Sequence, residues 1–483
     1  MGDPPPFLAL GTIMPFGNFQ LALIIYFPNF PLSNNHPSFC NPLSIMKLLL
    51  SFLVIIIVGA TNIFGQESKP YNAQELKPYA AANVKYVAMD AQKLARIDGL
   101  VKQYVDSQWI AGATIIAARN GQIVYQKAIG YADVSKKTPL TNESIFRIAS
   151  QTKAITSVAV MMLFEEGKFL LDDPISRYIP AFAKPQVLDK FNPADSSYTT
   201  VPAKSEITIR QLLTHTSGIS YAQIGTKEAN AIYGKANITA GIGVENGRML
   251  GPDMLKLAKL PLMHQPGERF TYGLNTDVLG YLVEVISGQP LDKFFRERIL
   301  DPLGMNDTWF YLPENKQKRL VTLHTEDSLK KVTAAGESIN RNGAWISNYP
   351  NTKGTYFSGG AGLSSTAYDY AIFMEMMRNG GIYKGKRLLS KNSVDMMTQN
   401  QIGAVDRGPN EKFGLGFGII TEQGSTRLGL STGTYSWGGA FSSTYWIDPK
   451  EKIVAQVFIN QSPISKGDIH DKIKVLLYSA ILE

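Results

Sequence analysis

Residues Ser150–Gly167 read SQTKAITSVAVMMLFEEG, and this stretch decides both the fold prediction and the candidate chemistry. Its apolar residues recur at i, i+3, i+4, i+7 and i+8, which predicts a helix: Ile155, Val158, Ala159, Met162 and Leu163. Ser150 and Lys153 share one face of the first helical turn. A serine hydroxyl needs an adjacent base to become a nucleophile, and a lysine amine can serve where its surroundings favour the neutral form. Ser-x-x-Lys alone also fits an ordinary helix start with a solvated lysine.

A second group of polar residues precedes the next clear helix pattern. Tyr272 and Asn275 stand in Tyr272-Gly273-Leu274-Asn275, on a predicted loop that enters a helix. A tyrosinate beside a lysine can shuttle a proton, and an asparagine amide can bind a substrate carbonyl. A packed tyrosine followed by a helix-capping asparagine is the structural alternative.

The third group is Trp437-Gly438-Gly439-Ala440, which enters a late pair of β-type runs. Two glycines before an extended run let the backbone approach a ligand closely. A free N–H here, together with the N–H of Ser150, would form an oxyanion hole. A simple β-bulge is the alternative interpretation.

Strand patterns lie near both ends of the chain, with a helical block between them. Residues 113–118 and 122–131 flank Asn120-Gly121, a strong hairpin signal, and strand character returns at 413–421, 443–447 and 453–460. We therefore predict an α/β (α+β) fold with an antiparallel sheet built from both chain ends, flanked by helices, and an inserted all-helical lobe. The predicted boundaries are 90–170 and 341–483 for the α/β lobe and 171–340 for the helical lobe, with the ligand cleft between them.

The N-terminal region reads as a targeting segment rather than part of the fold. Residues 46–66 have a short basic start, an apolar run of about a dozen residues and a small-residue exit, as in a signal peptide. The run is shorter than the roughly 20 residues of a membrane span. Residues 1–45 are interpreted as an upstream artefact, or alternatively as an extension with a signal anchor, and residues 67–89 as a linker. A periplasmic or secreted protein is expected, with membrane contact only if the segment is retained.

Composition excludes several classes of protein. The 483 residues are 44% hydrophobic and 18% charged, which rules out disorder for the bulk of the chain. A single cysteine, Cys40, allows no intrachain disulfide, and the five histidines show no metal-ligand spacing. The net charge of +8 is spread along the chain without an aromatic–arginine cluster, so no nucleic-acid partner is expected.

The motifs and their order resemble the serine β-lactamase and penicillin-binding-protein-like superfamily. The nearest likeness is to class C β-lactamases and family VIII carboxylesterases, and it runs from about residue 90 to the end. Six stretches carry it: SQTK (150–153), QLLTHTSGI (211–219), QPGERFTYGLN (265–275), PLGMNDT (302–308), GGAGLSST (359–366) and WGGAFSSTYWIDP (437–449).

The resemblance implies a β-lactamase/transpeptidase-like fold with the active site between two lobes. It makes Ser150 the acylated nucleophile and Lys153 its activating amine, with Tyr272 as shuttle or base. It implies that Asn275 positions the substrate carbonyl and that the N–H groups of Ser150 and Ala440 together form the oxyanion hole. His215 has no role in that mechanism and is interpreted as structural. No metal or organic cofactor is implied.

One departure from the family pattern bears on substrate. The family's third motif is Lys-Thr-Gly, whose lysine meets a β-lactam carboxylate, whereas the matching place here holds Trp437-Gly438-Gly439. Ser431-Thr432-Gly433 is the other candidate for this element; the spacing to Ile447-Asp448-Pro449 favours the tryptophan. The aromatic points toward esters with an uncharged group at that end.

The resulting hypothesis is an exported serine hydrolase that forms an acyl-enzyme on a carboxylic ester. A β-lactamase, a D-amino-acid-specific peptidase acting on cell-wall peptides, and a non-catalytic cell-wall ligand binder are the alternatives. The expected partner is therefore a small-molecule ester, β-lactam or peptide.

Overall fold

The hairpin predicted around Asn120-Gly121 begins the sheet. In this computed structural model, which describes residues 75–482 except 78, 80, 245, 337 and 341–343, its strands are β1 (Gly112–Arg119) and β2 (Gln122–Asp133). A short β3 (Thr138–Pro139) follows on the outer edge of β2. All described residues belong to one unit of the chain, Asn72–Glu483.

Five late strands complete an eight-stranded antiparallel sheet. They are β4 (Glu411–Phe413), β5 (Gly418–Ile420), β6 (Tyr435–Gly439), β7 (Ser443–Asp448) and β8 (Ile453–Phe458). The spatial order is β4-β5-β6-β7-β8-β1-β2-β3, and β1 joins β8 with Ala117 opposite Ala455. The predicted sheet from both chain ends is confirmed. The run predicted at 413–421 is two strands, because the chain turns at 414–417.

Five longer helices surround or adjoin this sheet. They are α1 (Arg96–Asp106), α2 (Thr152–Glu165), α3 (Asn275–Ser287), α4 (Ala367–Arg378) and α5 (Ile469–Ser479). Side chains of β1 alternate between two cores, as expected for a strand with helices on both faces. Ile115 packs into the core that holds Ile97 of α1 and Ile473 of α5, and Ile116 into the larger core that holds Phe373 of α4.

The segment between the two halves of the sheet is mostly helical, with short hairpins that the sequence pattern did not predict. Its further helices are Ile209–Leu213, Lys227–Lys235, Leu250–Leu257, Leu291–Phe295, a π-helical turn at Arg296–Leu300, Asp301–Leu303, and 3₁₀ turns at Ile175–Arg177, Pro180–Phe182 and Glu314–Arg319. The hairpins pair Gln186–Phe191 with Tyr198–Pro202, His324–Glu326 with Val332–Ala334, and Ser338–Asn340 with Ala344–Ile346.

The remaining elements are short. They comprise helices Ala91–Leu94, Lys391–Met397 and Glu422–Leu428, 3₁₀ turns Ala81–Val87 and Ala149–Gln151, and the strand pairs Phe146–Arg147 with Ser364–Ser365 and Ile382–Tyr383 with Lys386–Arg387. Ala95 separates Ala91–Leu94 from α1, so residues 91–106 form two helices rather than one.

The C-terminal part of the predicted linker packs against the fold instead of being an exposed connection. Leu76, Val84 and Met89 are buried, and the backbone of Met89 bridges to Ile481. Apolar side chains in an otherwise polar stretch reach the cores and hold this end on the sheet. The predicted signal peptide and residues 1–45 lie outside the described residues, and no described helix is long and apolar enough to span a membrane.

α2 is the central helix of the larger core. Residues 152–163 are buried on every side rather than along one stripe, and α2 packs against α3. Its first turn therefore has a fixed position between the sheet and the helical segment. This places Ser150 and Lys153 where the two parts of the chain meet.

Loss of packing around α3 should destabilise the fold. Leu279→Ala removes a fully buried side chain from α3 and should lower the free energy of unfolding by about 2–5 kcal/mol. Val285→Ala on the same helix truncates a side chain that is 41% exposed and should change it by less than about 0.5 kcal/mol. Urea unfolding followed by circular dichroism compares the two variants, and equal losses would contradict the assigned packing.

Candidate active site

Ser150 lies in the 3₁₀ turn Ala149–Gln151, directly before α2. Long-range contacts fix this turn: Ile148 N–H donates to the Leu363 carbonyl at 3.1 Å, and Tyr370 Oη donates to the Gln151 carbonyl at 2.9 Å. Ala149 has a φ of 43°, a conformation that an L-residue adopts only under surrounding constraint. Ser150 is thus half-buried on a rigid support at a helix N-terminus.

Lys153 is buried beside the serine, with 3% of its surface exposed. Its Nζ lies 3.4 Å from Ser150 Oγ and donates to the Gly360 carbonyl at 2.7 Å. It also contacts Tyr221 Oη at 3.0 Å. Fixed acceptors thus hold this amine in a nearly dry position beside the Ser150 hydroxyl.

Tyr272 approaches the serine from the segment that leads into α3. Its Oη lies 2.6 Å from Ser150 Oγ, and the Lys153 Nζ sits 4.8 Å above its ring. The indole N–H of Trp437 points at the same Oη from 3.4 Å. The structure therefore brings Ser150, Lys153 and Tyr272 together, as the sequence pattern predicts, and adds Trp437 to the group.

Tyr221 is a second phenol at the lysine, and sequence analysis missed it. It is 3% exposed, and its ring lies 5.4 Å from that of Tyr272. Burial raises its pKa well above the ordinary value, and the nearby Tyr272 and Asp277 reinforce the shift. Tyr221 thus keeps its proton and serves as a hydrogen-bonding partner of Lys153. In the sequence Tyr221 follows the QLLTHTSGI stretch (211–219) and carries no spacing signal of its own.

Asn275 does not take the position predicted for it. It is fully buried as the first residue of α3, its Oδ1 accepts a hydrogen bond from Ser217 Oγ, and its Nδ2 donates to His215 Nδ1 at 2.9 Å. Because both ends of the amide are occupied by interior groups, Asn275 does not present the amide to a substrate carbonyl. The backbone turns into the helix after Tyr272, which directs Asn275 inward.

His215 packs against the ring of Tyr272. Its ring lies 4.9 Å from that of Tyr272 and close to Phe270 and Phe413. Burial lowers its pKa well below the ordinary value, and the charge of Lys153 acts in the same direction. A neutral imidazole that accepts from Asn275 and packs on Tyr272 fits the structural role expected of it.

The glycine pair brings β6 against the turn that carries the serine. A Cβ on Gly439 would lie 2.4 Å from the carbonyl oxygen of Ile148, so only glycine fits at this distance. Ala440 follows at the exposed turn between β6 and β7, next to this contact. The other candidate for this element, Ser431-Thr432-Gly433, makes a different contact. Its Ser431 N–H donates to the Asp448 carboxylate.

A cation reaches the tryptophan from a different part of the chain. The Arg407 guanidinium lies 5.1 Å from the Trp437 ring and 4.3 Å from that of Phe270, and its Nη2 donates to Glu411 at 2.9 Å. Sequence analysis placed an aromatic where the family has a cation and could not foresee Arg407. Because Glu411 forms an ion pair with Arg407, the two charges offset each other on this side of the site.

The described part of the chain contains no group of three or more His, Cys, Asp or Glu side chains placed to hold a metal ion.

Comparison with known proteins identifies the family. The β-lactamase family profile matches residues 97–480. The chain belongs to the β-lactamase family. Esterase EstB of Burkholderia gladioli is 31% identical over 373 residues, which cover 75% of this chain and 89% of EstB. Lovastatin esterase of Penicillium rubens is 30% identical over 383 residues, 74% of this chain and 90% of its own length.

A solved structure extends the likeness to the fold. EstCE1, described as a hydrolase with promiscuous acyltransferase activity, matches with a TM-score of 0.70 and 28% identity, covering 80% of this chain and 99% of EstCE1. This member of the β-lactamase family is thus a serine hydrolase with esterase relatives. The predicted superfamily and fold class are confirmed.

Closure of β6 on the serine turn can be tested with Gly439→Ala. The new methyl group would push β6 from Ile148 and displace the adjacent backbone N–H, so fluorophosphonate labelling should slow by about 10²-fold. The added methyl group of Gly438→Ala would meet one carbonyl oxygen at 3.0 Å, so its labelling rate should fall by less. Stopped labelling assays on both folded variants give the rates, and a fully active Gly439→Ala would show that this contact is dispensable.

Proposed function

We propose that the protein is a carboxylesterase that works through an acyl-enzyme on Ser150. The observation that carries this proposal is the contact of one serine hydroxyl with a phenol at 2.6 Å and a buried amine at 3.4 Å. Its esterase relatives support the choice of an ester over the other acyl donors of the family.

In the acylation step Ser150 Oγ attacks the ester carbonyl carbon, and its proton passes to the Tyr272–Lys153 pair. The carbonyl oxygen becomes an oxyanion, for which the N–H groups of Ser150 and Ala440 are the proposed donors. The alcohol C–O bond then breaks, and the departing oxygen receives the same proton from the pair. Water then attacks the acyl-enzyme through the same proton transfers, which releases the acid and regenerates Ser150.

Trp437 and Tyr221 complete this machinery in the proposal. Trp437 donates toward Tyr272 Oη and holds the phenol beside Ser150, while Tyr221 orients the Lys153 amine. The half-buried rings of Trp437 and Phe270, backed by the buried Phe413, suit an apolar group of the ester.

The substrate class can be tested by comparing three acyl donors. The purified protein should hydrolyse 4-nitrophenyl butyrate, while nitrocefin and a D-alanyl-D-alanine peptide stay intact. Ser150→Ala should lose both esterase activity and fluorophosphonate labelling while remaining folded. Hydrolysis of nitrocefin or of the peptide in preference to the ester would assign the protein to the corresponding alternative, and a folded wild type that never labels would favour a non-catalytic binder.

The two phenols should differ in importance. Tyr272→Phe removes the group in contact with Ser150 and should lower kcat by about 10²–10⁴-fold. Tyr221→Phe removes one hydrogen bond to Lys153 and no contact with the nucleophile, so the loss should be smaller. Steady-state kinetics on the nitrophenyl ester gives both values. Equal losses would mean that the proton does not pass preferentially through Tyr272.

A further inference from the structure

Asp277 is a buried carboxylate behind the candidate catalytic lysine that the proposed mechanism does not use. It is the third residue of α3 and is fully buried. Its Oδ1 accepts hydrogen bonds from Ser358 Oγ at 2.6 Å and from the Gly360 N–H at 3.3 Å. Its Oδ2 has no hydrogen-bond donor among the residues that the structure describes. A carboxylate so placed needs a favourable charge nearby.

One peptide unit connects this carboxylate to the site. Gly360 donates its N–H to Asp277 and accepts the Lys153 amine on its carbonyl at 2.7 Å. A Cβ on Gly360 would lie 2.3 Å from Asp277 Oδ2, so the carboxylate packs directly on this residue. The position of the carbonyl that orients Lys153 thus depends on Asp277.

The groups around Asp277 come from three parts of the chain. Lys153 faces it from α2, Tyr221 from the loop after His215, and Tyr356 from the segment before Ser358. Burial raises the pKa of the Asp277 carboxyl, and the Lys153 ammonium opposes this most strongly, followed by the bonds from Ser358 and Gly360. Lys153 is the cation in this set, and both phenols are neutral partners.

The geometry points to Asp277 as a positioning residue that holds the Gly360 carbonyl on Lys153 and supplies the counter-charge of the buried ammonium. This inference rests on the proposed function. When Ser150 gives up its proton to the Tyr272–Lys153 pair, the Asp277 carboxylate stabilises the ammonium form of Lys153.

The first test is the pH dependence of Ser150 labelling in Asp277→Asn, which keeps the shape of the side chain and removes its charge. Loss of an anion makes proton release from the amine easier, so the acid limb of the rate profile should move to lower pH by about one unit or more. Asp369→Asn is the matched control, because Asp369 is also a buried third residue of its helix, α4, bound by Asp307 N–H and Thr308 Oγ1. Its profile should keep the wild-type acid limb.

An unshifted acid limb in folded Asp277→Asn, or a wild type without an acid limb over the range in which it stays folded, would overturn the inference. A wild type that never labels would instead contradict the proposed function. The two failures are therefore distinguishable.

A stability cycle tests the charge pairing without using activity. Lys153→Met alone leaves Asp277 as an uncompensated buried charge and should lower the thermal midpoint strongly. Adding Asp277→Asn should recover part of that loss, whereas adding Asp369→Asn should lower the midpoint further by its own separate amount. Additive effects of Lys153→Met and Asp277→Asn would overturn the inference. If Asp277→Asn alone fails to fold, recovery in the double variant supports it, and failure of both contradicts it.

Discussion

Burial of the Lys153 amine is the constraint on which the rest of the site depends. An ammonium taken out of water is costly unless fixed partners replace its hydration. Here those partners are the Gly360 carbonyl and Tyr221 Oη, with the Tyr272 ring on one side. They come from separate parts of the chain, so the lysine acquires its surroundings only when the whole unit is folded. Chemistry and tertiary structure are coupled at this one side chain.

Glycines let the backbone close around that amine and its serine. Gly439 brings β6 onto the turn that carries Ser150, and Gly360 lies against Asp277 with no room for a side chain. The stretch GGAGLSST at 359–366 is part of the family pattern, and its sequence alone indicates no specific contact. In the structure, Gly359 and Gly360 pack on the start of α3. Their carbonyls accept hydrogen bonds from Thr156 Oγ1 and Lys153 Nζ, respectively.

Local sequence signals were sufficient wherever the structure is determined by near neighbours. The Asn120-Gly121 hairpin, α2, and the shared helix face of Ser150 and Lys153 all follow from spacing. The residues that approach from a distance were harder to foresee. Tyr221 and Arg407 lie in loops and Asp277 lies on α3, and only the tertiary packing brings the three to the site.

Asn275 shows the limit of spacing as an argument. A residue three positions after Tyr272 could face the cleft if both lay on one helix, yet Tyr272 precedes α3 and Asn275 begins it. The change in backbone direction separates the two side chains, and the amide binds Ser217 and His215 in the interior.

The most direct test of the account is to locate the acyl group. The protein would be incubated with a slowly hydrolysed aryl ester, quenched in acid, digested and mapped by mass spectrometry. The account predicts one acyl group on the peptide that contains Ser150, and far slower accumulation in folded Lys153→Met. Acylation of another residue, or an undiminished rate at Ser150 without the lysine, would contradict it.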